Sequence, residues 1–263
     1  MGGHPVVDSR YPLGDLPSRA VHAATSRTAK DMAYAKEAAL PDNLDLSLVL
    51  QFLSRLKKNN NKSWFDENRD QYEKAMAQFE KLVGRLLKGM SKLEDLEGLS
   101  PRDCIMRIYR DVRFSKDKSP YKSGLGAGIV SGGRRSGRLG YHVHLAPTGA
   151  TMIAGGMWDP TPQQLSKFRD AIVKDPGTFR KILGSSAFRR HFGQVTGDAL
   201  KTVPKGYPAD HPEIELLRQK QVCVSETFKD EIVVSPRFPE LAVESLKAMK
   251  PFIDYLNQVA MGA

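Results

Sequence analysis

Residues 139–158, LGYHVHLAPTGATMIAGGMW, decide the fold of this chain. Leu139–Ala146 and Thr151–Trp158 are two β-rich runs, the first with apolar and polar side chains in alternation. Pro147-Thr148-Gly149 between them is turn chemistry, so the two runs read as antiparallel neighbours. Working outward, Gly124–Val130 and Ile105–Phe114 read as two earlier strands of the same meander. Ser131–Arg138, written SGGRRSGR, reads as a mobile hairpin tip, and Gln221–Phe228 as one later strand.

Helical spacing takes over on both sides of the strands. Leu46, Val49, Leu50, Leu53 and Leu56 form one stripe, which Lys57-Lys58-Asn59-Asn60-Asn61 ends. From about Ser63 a longer helix is expected, with Phe65, Tyr72, Met76, Phe79, Val83, Leu86 and Met90 in line. Arg69 falls on that stripe, and a buried charge is costly, so it should reach solvent or meet an acidic or ligand partner. After the strands, helices over Pro162–Lys174 and Pro176–Leu183, a short helix near Pro212–Arg218 and a terminal helix from about Pro239 to Ala260 follow. Helices, a meander and then helices make an α+β fold, an antiparallel β-meander packed against N-terminal and C-terminal helices. The expected domain is 44–260. Residues 1–43 read as a partly disordered extension, with four prolines and few large apolar groups.

The chain of 263 residues is long enough to bury a sizeable core. Its formal charge of +10 favours anionic partners. Ten basic against three acidic residues fall within 101–140, a net of +7 in about a seventh of the chain. Two distant cysteines, Cys104 and Cys223, argue against a disulfide framework or a cysteine zinc site. No apolar run approaches the ~20 residues a membrane span needs. The N-terminus lacks the apolar core of a secretory signal, and its acidic residues argue against an organelle leader. A reducing cytoplasmic setting, with no membrane partner, is expected.

The charge concentrates in Arg107–Lys122, RIYRDVRFSKDKSPYK. Read as a strand, it puts Arg107, Tyr109, Asp111 and Arg113 on one face. Met106, Ile108, Val112 and Phe114 take the other, interrupted by Arg110. Arginines on a rigid strand offer bidentate geometry to a phosphate or carboxylate, and Lys116, Lys118 and Lys122 add point charges from the following loop. The same residues could instead form ion pairs, Asp111 with Arg113 and Asp117 with a lysine.

This string is long and specific, and with it the chain resembles the family designated domain of unknown function 2461 over about residues 50–258. Asn59-Asn60 with Trp64-Phe65, Gly140-Tyr141 with His144, Gly155-Gly156 with Trp158 and Pro160, and Phe188-Arg189-Arg190 with Phe192-Gly193 carry the same resemblance. It implies an α+β domain and no catalytic residues. The chain departs from the family pattern at His142, where an aromatic residue is more usual, and at Ala146, where an acidic one is.

Three readings of function follow. In the first, an anionic small molecule is held by Arg69, Arg107, Arg110 and Arg113, with Lys116, Lys118 and Lys122 at the rim and Tyr109, Tyr141 and Trp158 shaping the pocket. Asp111 and His144 are its candidate acid/base groups. In the second, the Gly/Arg hairpin 131–138 and the lysine-rich loop grip nucleic acid, with Tyr121 or Trp158 stacking on bases. In the third, the string is an architectural ion-pair lattice tying loop to helix through Arg69, with no ligand. His142 and His144 are ~7 Å apart on one strand face, a spacing that can serve two metal ligands with Asp159 or Asp111 as a third, but an isolated H-x-H is a weak signal. Gly124-x-Gly126-x-Gly128 lacks the Lys-Ser/Thr ending and following helix of a phosphate loop, so it reads as a strand or bulge. No metal and no cofactor is expected. Cys104, beside the basic string, is a candidate for a lowered pKa.

Overall fold

The computed structural model describes residues 44–113 and 115–262. The extension 1–43 and Phe114 lie outside the described residues. The elements run α1 (Ser47–Lys58), α2 (Lys62–Glu67), α3 (Arg69–Met90), α4 (Pro101–Cys104), β1 (Leu125–Ile129), β2 (Tyr141–Leu145) and β3 (Thr151–Met157). Then come α5 (Pro162–Lys174), α6 (Pro176–Gly184), α7 (Ser186–His191), α8 (Ile214–Leu217), β4 (Val222–Phe228), α9 (Asp230–Val233) and α10 (Phe238–Leu256). The fold is α+β, with a four-stranded antiparallel sheet in the order β1-β2-β3-β4.

The long helix expected from Ser63 is two helices. The Asn61 side chain caps α2 by accepting the Trp64 N–H, and α2 stops at Asn68, whose side-chain amide donates to the Trp64 carbonyl at 2.8 Å. Local side-chain bonds of this kind compete with the helical ladder and explain the break.

Strand alternation sorts the sheet into two faces. Leu125, Ala127, Ile129, Tyr141, Val143, Leu145, Ile153, Val222, Val224 and Phe228 join one hydrophobic cluster with α1, α3 and α10. Gly155, on this face, lies against α10, where a Cβ would meet the Met249 sulfur at 2.4 Å. Gly155 therefore serves helix packing, whereas Gly156, with a φ of 121°, lets the β4 backbone approach, where a Cβ would meet the Val222 carbonyl oxygen at 2.2 Å. The opposite face carries Gly126 and Gly128, His142 and His144, Met152 and Ala154, and Ser225 and Thr227.

The segment 105–113 is not a strand. Ile105 bridges Ala127 and Tyr109 bridges Tyr121, four steps on one side against six on the other, so Lys122-Ser123-Gly124 bulges out of register. The result is an irregular ribbon along the β1 edge, held by Met106 N–H to the Gly126 carbonyl at 2.8 Å and Arg110 N–H to the Pro120 carbonyl at 2.9 Å. At the other edge Thr196 bridges Cys223, so a short segment shields β4 as well.

The connections are pinned by side chains. Asp230 accepts the N–H groups of Thr148 and Gly149, holding a turn in which Thr148 has a φ of 67°. The Gly/Arg segment before β2 is anchored at Leu139, whose N–H and carbonyl both bond to the Asn257 side chain.

Candidate functional site

The ribbon docks on α2 through aromatic packing. Tyr121 is buried and stacks on Phe65 with ring centroids 4.1 Å apart, and Tyr109 lies 5.3 Å from Tyr121. Asn60 clamps the same residue, accepting the Tyr121 N–H at 3.1 Å and donating to its carbonyl at 2.9 Å. Two stretches more than forty residues apart in sequence, Asn59–Phe65 and Arg107–Lys122, thus meet face to face.

The ribbon's basic residues divide by partner. Arg110 is only 9% exposed at its side chain and pairs with Asp117, with Ser115 Oγ at 3.3 Å. The Ser119 hydroxyl and N–H, and then Arg110, hold the Asp117 carboxyl well below the usual range. Arg113 grips Asp111 in a fork, Nε to Oδ1 at 2.9 Å and Nη2 to Oδ2 at 2.7 Å. That guanidinium, with the Arg113 N–H, lowers the Asp111 carboxyl to about 2, which makes Asp111 a poor proton acceptor near neutral pH. Arg69 reaches solvent, pairs with Asp66 at 3.0 Å and lies 5.7 Å over the Phe65 ring. Lys118 donates to the Val112 carbonyl at 2.9 Å, and Lys116 is exposed.

Arg107 and Lys122 differ from these. Among the described residues, neither has a carboxylate within ion-pair distance. Lys122 is half-buried, and burial together with the charge of Arg107 lowers its pKa. Its charge acts in turn on the two imidazoles of β2.

Those rings stack 6.0 Å apart over glycines of the neighbouring chain. A Cβ on Gly124 would sit 2.4 Å from His144 Cε1, and one on Gly126 would sit 3.2 Å from His142 Cε1. Missing side chains on and beside β1 are what make room for the imidazoles. Burial, then His144 and Lys122, lower the His142 pKa to about 3, and burial with Lys122 lowers that of His144 to about 4. Both rings are neutral at pH 7 and carry one donor and one acceptor nitrogen each. His142 is enclosed, whereas His144 is half-buried at the face that Lys122 approaches.

Two expected members lie elsewhere. Tyr141 points into the core, where its hydroxyl donates to Glu94 beside Lys250. Its parity on β2 is opposite to that of His144, so one strand cannot turn both toward the same ligand. Trp158 follows the Met157 end of β3, and Lys122 precedes the Leu125 end of β1, the opposite end of the sheet. Some six residues of strand, about 20 Å, separate the two ends. Cys104 is buried, and its thiol is pushed up to about 11, so the nearby cations do not activate it. Among the described residues, no group of three or more His, Cys, Asp or Glu side chains is placed to hold a metal ion, and no helix is long and apolar enough to cross a membrane.

A second polar cluster was not legible in sequence. His191 is buried with its Nδ1 2.7 Å from Glu226 Oε2, and Ser245 donates to the same carboxylate. Serine and glutamate both approach one nitrogen of this ring, so the arrangement differs from a nucleophilic triad, in which they occupy opposite nitrogens.

Compared with known proteins, residues 48–255 match the family model described as conserved hypothetical protein (DUF2461). No curated protein and no solved structure matches the chain.

Proposed function

The chain belongs to the DUF2461 family of conserved hypothetical proteins, a description that names no ligand, and we propose from the site's chemistry that it binds an anionic small molecule carrying a phosphate or carboxylate. Arg107 and Lys122 hold the anion, and His144 contributes a neutral hydrogen-bonding nitrogen beside it. One observation carries the reading. Arg69, Arg110 and Arg113 each have an aspartate within ion-pair distance, whereas half-buried Lys122 and exposed Arg107, whose charge reaches both Lys122 and Asp111, have no carboxylate that close among the described residues. Two like charges in that position repel, and an anion between them relieves the repulsion.

Thermal unfolding at low salt with phosphate, nucleotides, sugar phosphates and small carboxylates tests it. At least one anion should raise the Tm of the wild type and leave Lys122→Met unmoved. If no anion in the panel stabilises the wild type, the reading falls.

A second reading rests on Tyr109. The residue is 48% exposed, its ring lies against Tyr121 and Phe65, and it is flanked in sequence by Arg107 and the loop lysines. A fixed exposed ring amid cations is a stacking platform for single-stranded nucleic acid. Four phosphate contacts would give a slope of log K against log salt of roughly −2.8. Oligonucleotide binding that is absent, or flat with salt, or indifferent to Tyr109→Ala excludes this reading.

A further inference from the structure

We propose that the outer edge of the ribbon, at Tyr109–Asp111, takes an extended acidic peptide as an added antiparallel β-strand. This surface is separate from the small-anion reading above, although Arg107 borders both.

The ribbon's own hydrogen bonds define the edge. Tyr109 and Tyr121 form an antiparallel bridge whose bonds come from their neighbours, Arg110 N–H to the Pro120 carbonyl at 2.9 Å and Lys122 N–H to the Ile108 carbonyl at 2.8 Å. In a pair of this kind the two central residues turn their own N–H and C=O groups away from each other. Those of Tyr121 are taken up by the Asn60 carboxamide. Those of Tyr109 have no hydrogen-bond partner among the described residues, and the residue is 48% exposed. The alternation continues along the chain. Met106 N–H bonds to the Gly126 carbonyl and the Val112 carbonyl accepts from Lys118, whereas the backbone groups of Arg107 and Asp111 have no partner among the described residues. The chain bends at Ile108, so Tyr109–Val112 is the straight part and Arg107 lies at its near end. An exposed row of alternate unbonded donors and acceptors is a template for another strand. At the opposite edge of the sheet Thr196 N–H bonds to the Cys223 carbonyl at 2.7 Å and covers β4.

Charge selects which strand can use that edge. Arg107, Arg113, Lys116 and Lys118 are exposed around it, while the two aspartates of the ribbon are already engaged, Asp111 by Arg113 and Asp117 by Arg110. The segment 101–140 carries a net +7. A second copy of the ribbon is therefore repelled, and an acidic strand is drawn in. A peptide also fits the backbone pattern better than a nucleic acid does, because a phosphodiester offers acceptors alone and leaves the Tyr109 carbonyl unbonded. Parity then fixes the side chains. A peptide residue opposite Tyr109 turns its N–H and C=O toward the ribbon and its side chain to the face that Tyr109 occupies. The Tyr109 ring, held 5.3 Å from Tyr121 and 6.3 Å from Phe65, gives that side chain a fixed surface. An acidic side chain two residues further along lies toward the Arg107 end.

The full chain is titrated into a fluorescein-labelled peptide of alternating glutamate and valine, in phosphate-free buffer at low salt, and binding is read by anisotropy. The peptide should bind, and its counterpart with lysine in place of glutamate should not. N-methylation at the glutamates removes the N–H groups that face the ribbon and should weaken binding about tenfold or more. N-methylation at the valines, whose N–H groups face solvent, should change it less than about threefold. In hydrogen exchange the Tyr109 amide should slow about tenfold or more when the peptide is bound, while that of Arg110, already bonded to Pro120, stays unchanged. Arg107→Met should weaken binding severalfold with thermal unfolding showing it folded. No binding of the acidic peptide overturns the proposal. So does equal weakening by the two methylation patterns, or a Tyr109 amide that exchanges as fast with the peptide as without it, since either result leaves charge attraction without an added strand.

Discussion

Asn60 and Tyr121, 61 positions apart, are joined as two strand residues would be, with the Asn60 carboxamide accepting the Tyr121 N–H and donating to its carbonyl. A side chain thus imitates a backbone partner, and it does so where the ribbon leaves register with β1 and those groups would otherwise lack one. Asn257 treats Leu139 the same way on the far side of the sheet.

Asn60→Ala should therefore cost about 2–3 kcal/mol, the sum of two buried backbone groups left unpaired. Asn60→Asp keeps the acceptor and loses the donor, and should fall between Ala and wild type. Urea midpoints for the three proteins check the order. Because Lys122 follows Tyr121 directly, the response to anions should weaken in parallel.

Gly124→Ala places a methyl group where His144 Cε1 and the Leu145 carbonyl already stand, at 2.4 and 2.9 Å. The backbone oxygen cannot move aside cheaply, so we expect a loss of about 1–3 kcal/mol. The His144 ring resonances should shift strongly in NMR spectra. A variant with wild-type stability and unmoved resonances would contradict the packing of imidazole over glycine.

The histidine pair sets an acid limb to stability. Both rings have folded values below the ordinary 6.5, about 3 for His142 and about 4 for His144. As pH falls, the unfolded chain takes up those protons first. The contribution is complete above pH 6.5 and is lost between there and about pH 4 for His144 and about pH 3 for His142. His142→Phe removes one of the two titrations and should flatten the loss of urea midpoint across that window. Asp111 and Asp117, both lowered, add their own loss only below the ordinary carboxylate range.

Tyr141→Phe separates core from site. The Tyr141 hydroxyl bonds to Glu94 inside the core, and burial raises its pKa far above the ordinary phenol value. Its removal should cost about 1–2 kcal/mol. The anion response of Lys122 should be unchanged, since Tyr141 lies on the other face of the sheet.

Periodicity made much of the architecture legible. The alternation over 139–146, the β-rich run 151–158 and the stripe from Leu46 to Leu56 correspond to β2, β3 and α1 within a residue or two. Such patterns are local, because a half-buried element must turn its apolar groups one way whatever it packs against. The same logic misled at 105–113, where apolar and charged residues also alternate. That pattern does not register a two-residue bulge in the facing segment 121–127, and the bulge is what breaks the ladder.

Sequence alone determined the α+β class, the family, and the concentration of positive charge in Arg107–Lys122. Tertiary structure decided what that charge is free to do. Aspartates at 66, 111 and 117 neutralise Arg69, Arg113 and Arg110, and composition cannot tell these from Arg107 and Lys122 because pairing depends on geometry. It also decided that His144 lies on the sheet face opposite Tyr141, within reach of the Lys122 charge, and that Trp158 stands at the far end of the sheet. The physical reason is common to all three. A side chain's chemistry is set by its nearest charges and by its access to water, and strand register and the packing of Phe65 against Tyr121 bring those together from distant parts of the chain.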